Sequence, residues 1–266
     1  MKIGFFRSVK DWCCGLAEDF GEGVIRHGHE FYQLRLCDIV QSGTDVVCIL
    51  GAGYGWDYAP VINLGLPVIY VDKGYTKGYW RISAGHPHPG RVGKLGMPDD
   101  RRTGFGWYPK PWKSSGEYIL LGISGPGYYG FDRIIHPLEY TKYLVQKLLC
   151  ITEIPIVVRP KPSFMFELQD DRVRMSDGDL DSDLENARVL VTFASNVCLA
   201  ALLEGVPTLV LGDGVTRSIC STDIADIYDP VRASIEGRTA LLNDLAYHQW
   251  SNEELRSGRA WEFYDA

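Results

Sequence analysis

The stretch that most constrains this chain is Val189–Gly214, VLVTFASNVCLAALLEGVPTLVLGDG. Val189–Phe193 is a largely apolar run, as a strand covered on both faces requires. Ala194-Ser195-Asn196 is a small-residue turn, and it opens an apolar segment that closes in Leu203-Glu204-Gly205. Val206-Pro207 then leads into a second apolar run, Thr208–Leu211. Strand, helix and strand follow one another at about the shortest spacing a parallel crossover allows. The turn sets Ser195, Asn196 and the backbone N–H groups beside them at a helix N-terminus, where anions are favoured. Glu204 is a carboxylate at the far end of an otherwise apolar helix.

A chain of 266 residues holds one large domain or two of modest size. No apolar run reaches the length of a membrane span, and the start, MKIGFFRSVKDW, lacks the apolar core of a secretory signal. A cytoplasmic protein with no membrane partner is expected, in the host cytoplasm if a phage encodes it. The seven cysteines have no metal-ligand spacing, so free thiols and no metal are expected. The net charge of −7 argues against a surface coated in phosphate-binding residues, while leaving room for a local basic patch.

In chain order, Lys2–Phe6 is a short apolar strand. Trp12, Leu16, Phe20 and Val24 fall four apart and predict a helix over Trp12–His27, ended by a left-handed cap at Gly28. Phe31–Leu36, Val46–Leu50 and Leu66–Val71 predict further strands, the opening of a Rossmann-like sheet. The glycine-rich turn Gly51–Gly55 departs from the dinucleotide spacing and does not by itself indicate a phosphate site. Asp72 and Lys73 stand just past a buried strand, where open α/β sheets bind ligands.

The segment Lys73–Lys113 carries nine Lys or Arg against Asp99 and Asp100, a local charge of +7 in a chain of −7. Among the basic residues are Lys73, Arg81, Arg91, Arg101 and Arg102. Aromatics are interleaved, Trp107 with them, and glycines and prolines break the segment into loop or short strand. Cations for phosphates and rings for bases suit a nucleic-acid acceptor. A loop whose rings plug the core and whose cations are solvated accounts for the same composition.

From Glu117 the pattern restarts. Tyr118–Ile123 predicts a strand, ending at the turn Ser124-Gly125-Pro126-Gly127. Leu138–Cys150 is a helix, Ile154–Val158 a strand leading into Arg159-Pro160-Lys161-Pro162, and Asp179–Ala187 an acidic surface helix. Four strands over Tyr118–Gly212 make a second Rossmann-like domain, with the break near Lys110–Gly116. The expected domains are 1–114 and 115–246, with the tail 247–266 packing back on the first. Arg238–Tyr264 reads as helical throughout. Ser251 and Glu254 form a capping-box signature, and Gly258 shortens or kinks the last helix.

Two such halves and a helical tail resemble the GT-B class of glycosyltransferases. The resemblance is carried by Ser195, Asn196, Glu204, Gly205 and Pro207, which look like the donor-site helix, and by Val157–Pro162. The latter is similar to the basic-proline segment of capsular-polysaccharide and sialyl-type transferases. Arg26–Glu30 resembles the structural turn after the first helix. The tail Gln249–Trp261 and the segment Asp72–Ser83 also resemble bacteriophage transferases that glycosylate hydroxylated pyrimidines in DNA. These resemblances imply α/β architecture with two Rossmann-like domains facing a cleft. They imply a transferase moving a sugar from a nucleotide-sugar donor, UDP-linked, to a hydroxylated pyrimidine in double-stranded phage DNA, with no further cofactor and no protein partner. A GT-B enzyme acting on a polysaccharide or small acceptor is the alternative, as is a non-catalytic nucleic-acid-binding protein of this fold.

The donor would be held by Ser124, Arg159, Lys161, Ser195, Asn196 and Glu204, with cations and the helix start offsetting diphosphate charge and Glu204 taking ribose or sugar hydroxyls. DNA would meet Lys73, Arg81, Arg91, Arg101, Arg102 and Trp107. An inverting transfer needs a base for the acceptor hydroxyl. Asp72 is the first choice, with Asp57 and Asp11 as rivals. A salt bridge from Asp72 to Lys73 or Arg81 is the structural alternative for the same residue.

Overall fold

Strand-forming runs that are apolar on both faces need a helix or a neighbouring strand on every side, and this chain satisfies them twice. The computed structural model describes residues 1–6, 14–34, 43–51, 59–87, 95–131, 136–161 and 170–265. They fall into two compact units, a discontinuous one of Met1–Lys94 with Leu245–Ala266 and a continuous one of Leu95–Asp244.

The discontinuous unit contains β1 (Lys2–Phe6), α1 (Cys14–Arg26), β2 (Glu30–Leu34), β3 (Val46–Leu50), α2 (Ala59–Ile62), β4 (Val68–Lys73) and β5 (Tyr79–Ala84). The continuous unit contains α3 (Asp100–Gly104), β6 (Tyr118–Gly122), α4 (Pro126–Phe131), α5 (Pro137–Ile151), β7 (Ile156–Arg159), β8 (Val173–Met175), α6 (Leu180–Asn186), β9 (Ala187–Thr192), α7 (Val197–Glu204) and β10 (Thr208–Val210). Helix α8 (Ile235–Ala246) leads back to the first unit, which is completed by β11 (Gln249–Ser251), α9 (Asn252–Ser257) and α10 (Arg259–Asp265).

The first sheet has the order β11-β5-β4-β3-β1-β2. Strands β2, β1, β3 and β4 are parallel, whereas β5 runs antiparallel to β4 and β11 antiparallel to β5. Leu16, Phe20 and Val24 on α1 are buried against Ile3, Phe5 and Cys48, so the expected helical stripe is the core face. Trp12, the first residue of that stripe, lies outside the described residues. Gly28 has the left-handed conformation (φ 77°) that ends the helix.

The tail belongs to the same core through Trp250, Leu255, Ala260 and Trp261. It reaches α1 at Gly23, where a Cβ would stand 2.1 Å from the Leu255 carbonyl oxygen. Buried Asp19 accepts two hydrogen bonds from the Arg256 guanidinium (2.9 and 2.6 Å) and one from the Asn252 amide at 2.5 Å. The capping box of Ser251 and Glu254 is formed. The tail is not helical throughout, because Gln249–Ser251 pairs with Tyr79–Arg81 as an edge strand.

The second sheet has the order β10-β9-β6-β7-β8 and is parallel throughout. Strand β8 is a fifth member that the four-strand expectation lacks. Only three residues long, with an exposed arginine at its centre, it carries no apolar run. The segment Lys110–Lys113, part of the break read near Lys110–Gly116, is fastened to the continuous unit. The Lys110 N–H donates to Leu203 O (2.8 Å), the Lys113 N–H to Gly205 O (2.7 Å) and the Trp112 indole to Ala233 O (2.8 Å). Gly205 at φ 71° permits this, since a Cβ there would lie 2.0 Å from the Pro111 oxygen. Helix α6 is acidic as expected, with Asp179 as its N-cap, but Asp183 and Leu184 are buried rather than on the surface.

Candidate functional site

In a parallel sheet the ligand edge is the carboxyl end of the strands, at the point where chain order reverses. In the continuous unit that point lies between β6 and β9, since β7 and β8 follow on one side of β6 and β9 and β10 on the other. Two turns meet there, the one after Gly122 that carries Ser124 and the one after Thr192 that carries Ser195 and Asn196.

These turns are pinned by hydroxyl groups. Ser124 Oγ accepts the Ala194 N–H at 2.8 Å, and Ser124 is wholly buried. Thr192 Oγ1 donates to Gly122 O (2.7 Å) and accepts the Ser195 N–H (3.2 Å). Ser195 Oγ accepts the Val197 N–H at 3.5 Å. The Tyr129 hydroxyl hydrogen-bonds with Ser124 and Thr141, although burial of the phenol still raises its pKa. Its ring stacks on Phe193 at 4.7 Å. Ser124 and Ser195, expected to touch a donor, are both buried, and their hydroxyls accept backbone N–H groups of the turns. Asn196 is the N-cap residue of α7 and is half-buried.

Arg159 is placed beside the same point by register, since Gly122 pairs with Arg159 on one side and Thr192 on the other. Its guanidinium is committed inward. Nη1 donates to Asp183 Oδ2 at 2.6 Å and to Gly178 O at 3.0 Å. Asp183 also accepts from the Ser176 hydroxyl at 2.6 Å. A buried carboxylate of this kind requires a cation, and Arg159 supplies it. Lys161, two residues past β7, is exposed.

Glu204 is not brought to this edge. Helix α7 starts beside the strand ends and runs back about 12 Å for its eight residues to the start of β10. There Glu204 accepts the Lys110 ammonium at 2.5 Å. The far end of the helix is where the sequence placed Glu204; the hydroxyl-binding role came from the resemblance, and its partner in this structure is Lys110.

In the discontinuous unit Asp72 ends the parallel set at β4. Its Oδ2 meets Arg81 Nη2 at 3.0 Å and its Oδ1 accepts the Lys73 N–H at 2.7 Å. Three expected nucleic-acid contacts are internal. Arg81 is buried in the sheet against Asp72. Arg102 is buried, with Nε on Asn243 Oδ1 (2.6 Å) and Nη1 on Trp107 O (2.9 Å), and Trp107 is buried with it. Arg81 also lies over the Tyr75 ring at 5.6 Å and Arg102 over the Tyr108 ring at 5.4 Å, Tyr108 itself staying exposed. Arg101 is half-buried over the Phe105 ring, and Lys73 is exposed. Arg91, Asp11, Asp57 and the turn at 52–58 lie outside the described residues.

Asp183, Thr192 and Tyr129 were not singled out from sequence. Asp183 sits in an acidic run that reads as solvated, and its partners are far away in the chain.

The sequence matches no family model and no curated protein. Among solved structures, the chain is similar to the beta Kdo 2,7 transferase of Thermosulfurimonas dismutans KpsC, at 12% identity over 98% of this chain and 99% of that one, with a TM-score of 0.58. The beta Kdo 2,4 transferase of the same KpsC aligns at 12% identity over 94% and 91%, with a TM-score of 0.54. The likeness establishes the fold, α/β with two Rossmann-like units of the GT-B type, as the sequence led one to expect.

Proposed function

We propose that this chain is a glycosyltransferase that takes a sugar from a nucleotide-linked donor and passes it to a hydroxyl of a saccharide. The observation that carries the reading is the fold likeness, which runs the full length of both this chain and a transferase structure. The donor is assigned to the continuous unit, at the ends of β6 and β9. Asn196 and Lys161 are the side chains offered to it, and the buried hydroxyls of Ser124, Thr192 and Ser195 fix the turn. The acceptor is assigned to the discontinuous unit. Asp72, 24% exposed and oriented by Arg81, is the proposed base.

The test is a thermal-shift panel of UDP-, GDP-, dTDP- and CMP-linked sugars, UDP first. A bound donor at a hundredfold excess over its Kd stabilises by about 2.7 kcal/mol. No shift with any donor, together with no release of free nucleotide, sinks the reading. Asp72→Asn should lower transfer by about a hundredfold or more while donor binding survives. Normal transfer by that variant puts the base elsewhere.

A hydroxylated pyrimidine in DNA is the second reading, motivated by the basic run that begins at Lys73. The burial of Arg81, Arg102 and Trp107 weighs against it. DNA binding that weakens steeply as salt rises would restore it.

A further inference from the structure

The turns after β6 and β9 meet at the ligand edge of the second sheet, and one side chain from α4 holds both. The Tyr129 hydroxyl is hydrogen-bonded to the Ser124 backbone N–H, to the Ser124 hydroxyl and to the Thr141 hydroxyl of α5. Ser124 Oγ in turn accepts the Ala194 N–H at 2.8 Å. Thr141, Tyr129, Ser124 and Ala194 thus form one chain of hydrogen bonds from α5 to the turn after β9, and all four residues are buried. A buried chain of this kind is costly wherever one partner is missing, so each member fixes the next.

The ring of Tyr129 makes a second link to the same turn. It stacks on Phe193, with 4.7 Å between centroids and 15° between planes, while the Tyr140 ring meets Phe193 edge-on at 5.4 Å. Gly212 closes a further side, since a Cβ there would stand 2.6 Å from the Phe193 ring, and its N–H donates to Phe193 O at 2.8 Å. Phe193 therefore has one place, and so does Ala194 after it. The N–H groups of Ala194, Ser195 and Val197 are taken by the hydroxyls of Ser124, Thr192 and Ser195. What this network sets is the shape of the turn.

We propose that Tyr129 is a positioning residue for the nucleotide of the donor, its hydroxyl and its ring together holding the turn 193–196 in the shape that receives it. This rests on the reading that the ends of β6 and β9 take the donor. It extends that reading to what sets affinity there, because a turn already held in its bound shape loses less entropy when the ligand arrives.

The experiment compares the full chain with four variants. Tyr129→Phe keeps the stacked ring and removes the hydroxyl, Thr141→Val cuts the chain at its far end, and Thr141→Ser keeps it. Leu148→Ala, farther along α5, opens a cavity in the core of the second unit. Two quantities are read: amide hydrogen exchange of 193–197 relative to 187–191 without ligand, and the Kd of UDP and of CMP by calorimetry. Tyr129→Phe should speed the relative exchange and weaken nucleotide binding, each by about fivefold or more. Thr141→Val should move both the same way, and Thr141→Ser should restore the parent values. Thr141→Val added to Tyr129→Phe should change little more, because the chain is already cut. Leu148→Ala should lower the melting temperature and move neither quantity. Relative exchange unchanged in Tyr129→Phe overturns the proposal. So does nucleotide affinity that tracks melting temperature across all the variants, Leu148→Ala included, since that marks a merely structural role. If Tyr129→Phe does not fold, Thr141→Val against Thr141→Ser carries the same comparison. A parent chain that binds neither nucleotide refutes the donor reading, and the exchange then decides alone whether Tyr129 holds the turn.

Discussion

Arg238 is a buried guanidinium with no carboxylate opposite it among the described residues. Its Nη1 donates to Lys110 O at 2.7 Å and to Leu202 O at 3.3 Å, and its plane lies over the Trp112 ring at 4.1 Å. Leu202 belongs to the last turn of α7, so the helix's negative end and the face of the indole take the place of a counter-ion. Burial still pulls its pKa below the usual arginine value. Arg238→Met should destabilise the protein by about 3 kcal/mol, by freeing two carbonyls and losing the ring contact. Arg238→Lys should recover only part, because an ammonium neither forks nor stacks. A urea midpoint unmoved by Arg238→Met would sink this account. Residues of this kind are the least legible in sequence. Arg159 was picked as a ligand cation from its place after a strand, and its partner Asp183 lies across a loop and a strand that local pattern does not connect. Ser195 was picked for its place at a helix start and for the resemblance to a donor-site helix, and only the fold reveals that it and Ser124 are buried.

Whole elements were easier to read. Val46–Leu50 is the expected strand residue for residue, because an apolar run bounded by polar turns can be little else. Strand β5 was hidden inside a glycine- and arginine-rich segment, although the Asp72–Arg81 salt bridge it carries was among the alternatives read for Asp72. Strand β11 was hidden by its shortness within an otherwise helical tail. Contacts between elements are set by small residues, and α1 meets α9 only because Gly23 has no side chain. Gly23→Ala should cost about 2 kcal/mol by overpacking and should raise hydrogen exchange in 252–265 selectively. Exchange unchanged there would mean that the tail docks by other contacts. Helix α6 should respond to acid. The Asp179 carboxyl lies below the usual range because it accepts the Ser182 N–H, at 2.8 Å. A depressed folded pKa gives stability that is present above the unfolded value, near pH 4, and lost as pH falls through the folded one. Asp179→Asn, which keeps a cap but not the charge, should therefore flatten the fall in melting temperature between about pH 5 and pH 3. A fall as steep as in the parent chain would remove Asp179 from the cause.

At the scale of the whole molecule, the two largest clusters among the described residues lie one in each unit. One joins α1, β1, β3 and β4 to the tail, and the other joins β6, β7, β9 and β10 to α5. Two alternating strand and helix patterns in the sequence were enough to announce two Rossmann-like units. Where each begins was harder to read, because the 95–113 segment lacks periodicity and is held by scattered hydrogen bonds. Removing residues 249–266 should strip β11, α9 and α10 from the first core and leave the second intact. Limited proteolysis should then leave a resistant fragment beginning near Leu95, whereas equal protection of both units would contradict the division. The discontinuous unit also sets an order of events. A ribosome makes β1 to β5 first, yet Trp250, Leu255 and Trp261, which close their core, are made only after all of Leu95–Asp244. The unit that is started first is thus the one finished last. The usual sequence of folding from the N-terminus is inverted, and a nascent chain exposes an unclosed sheet for most of its synthesis.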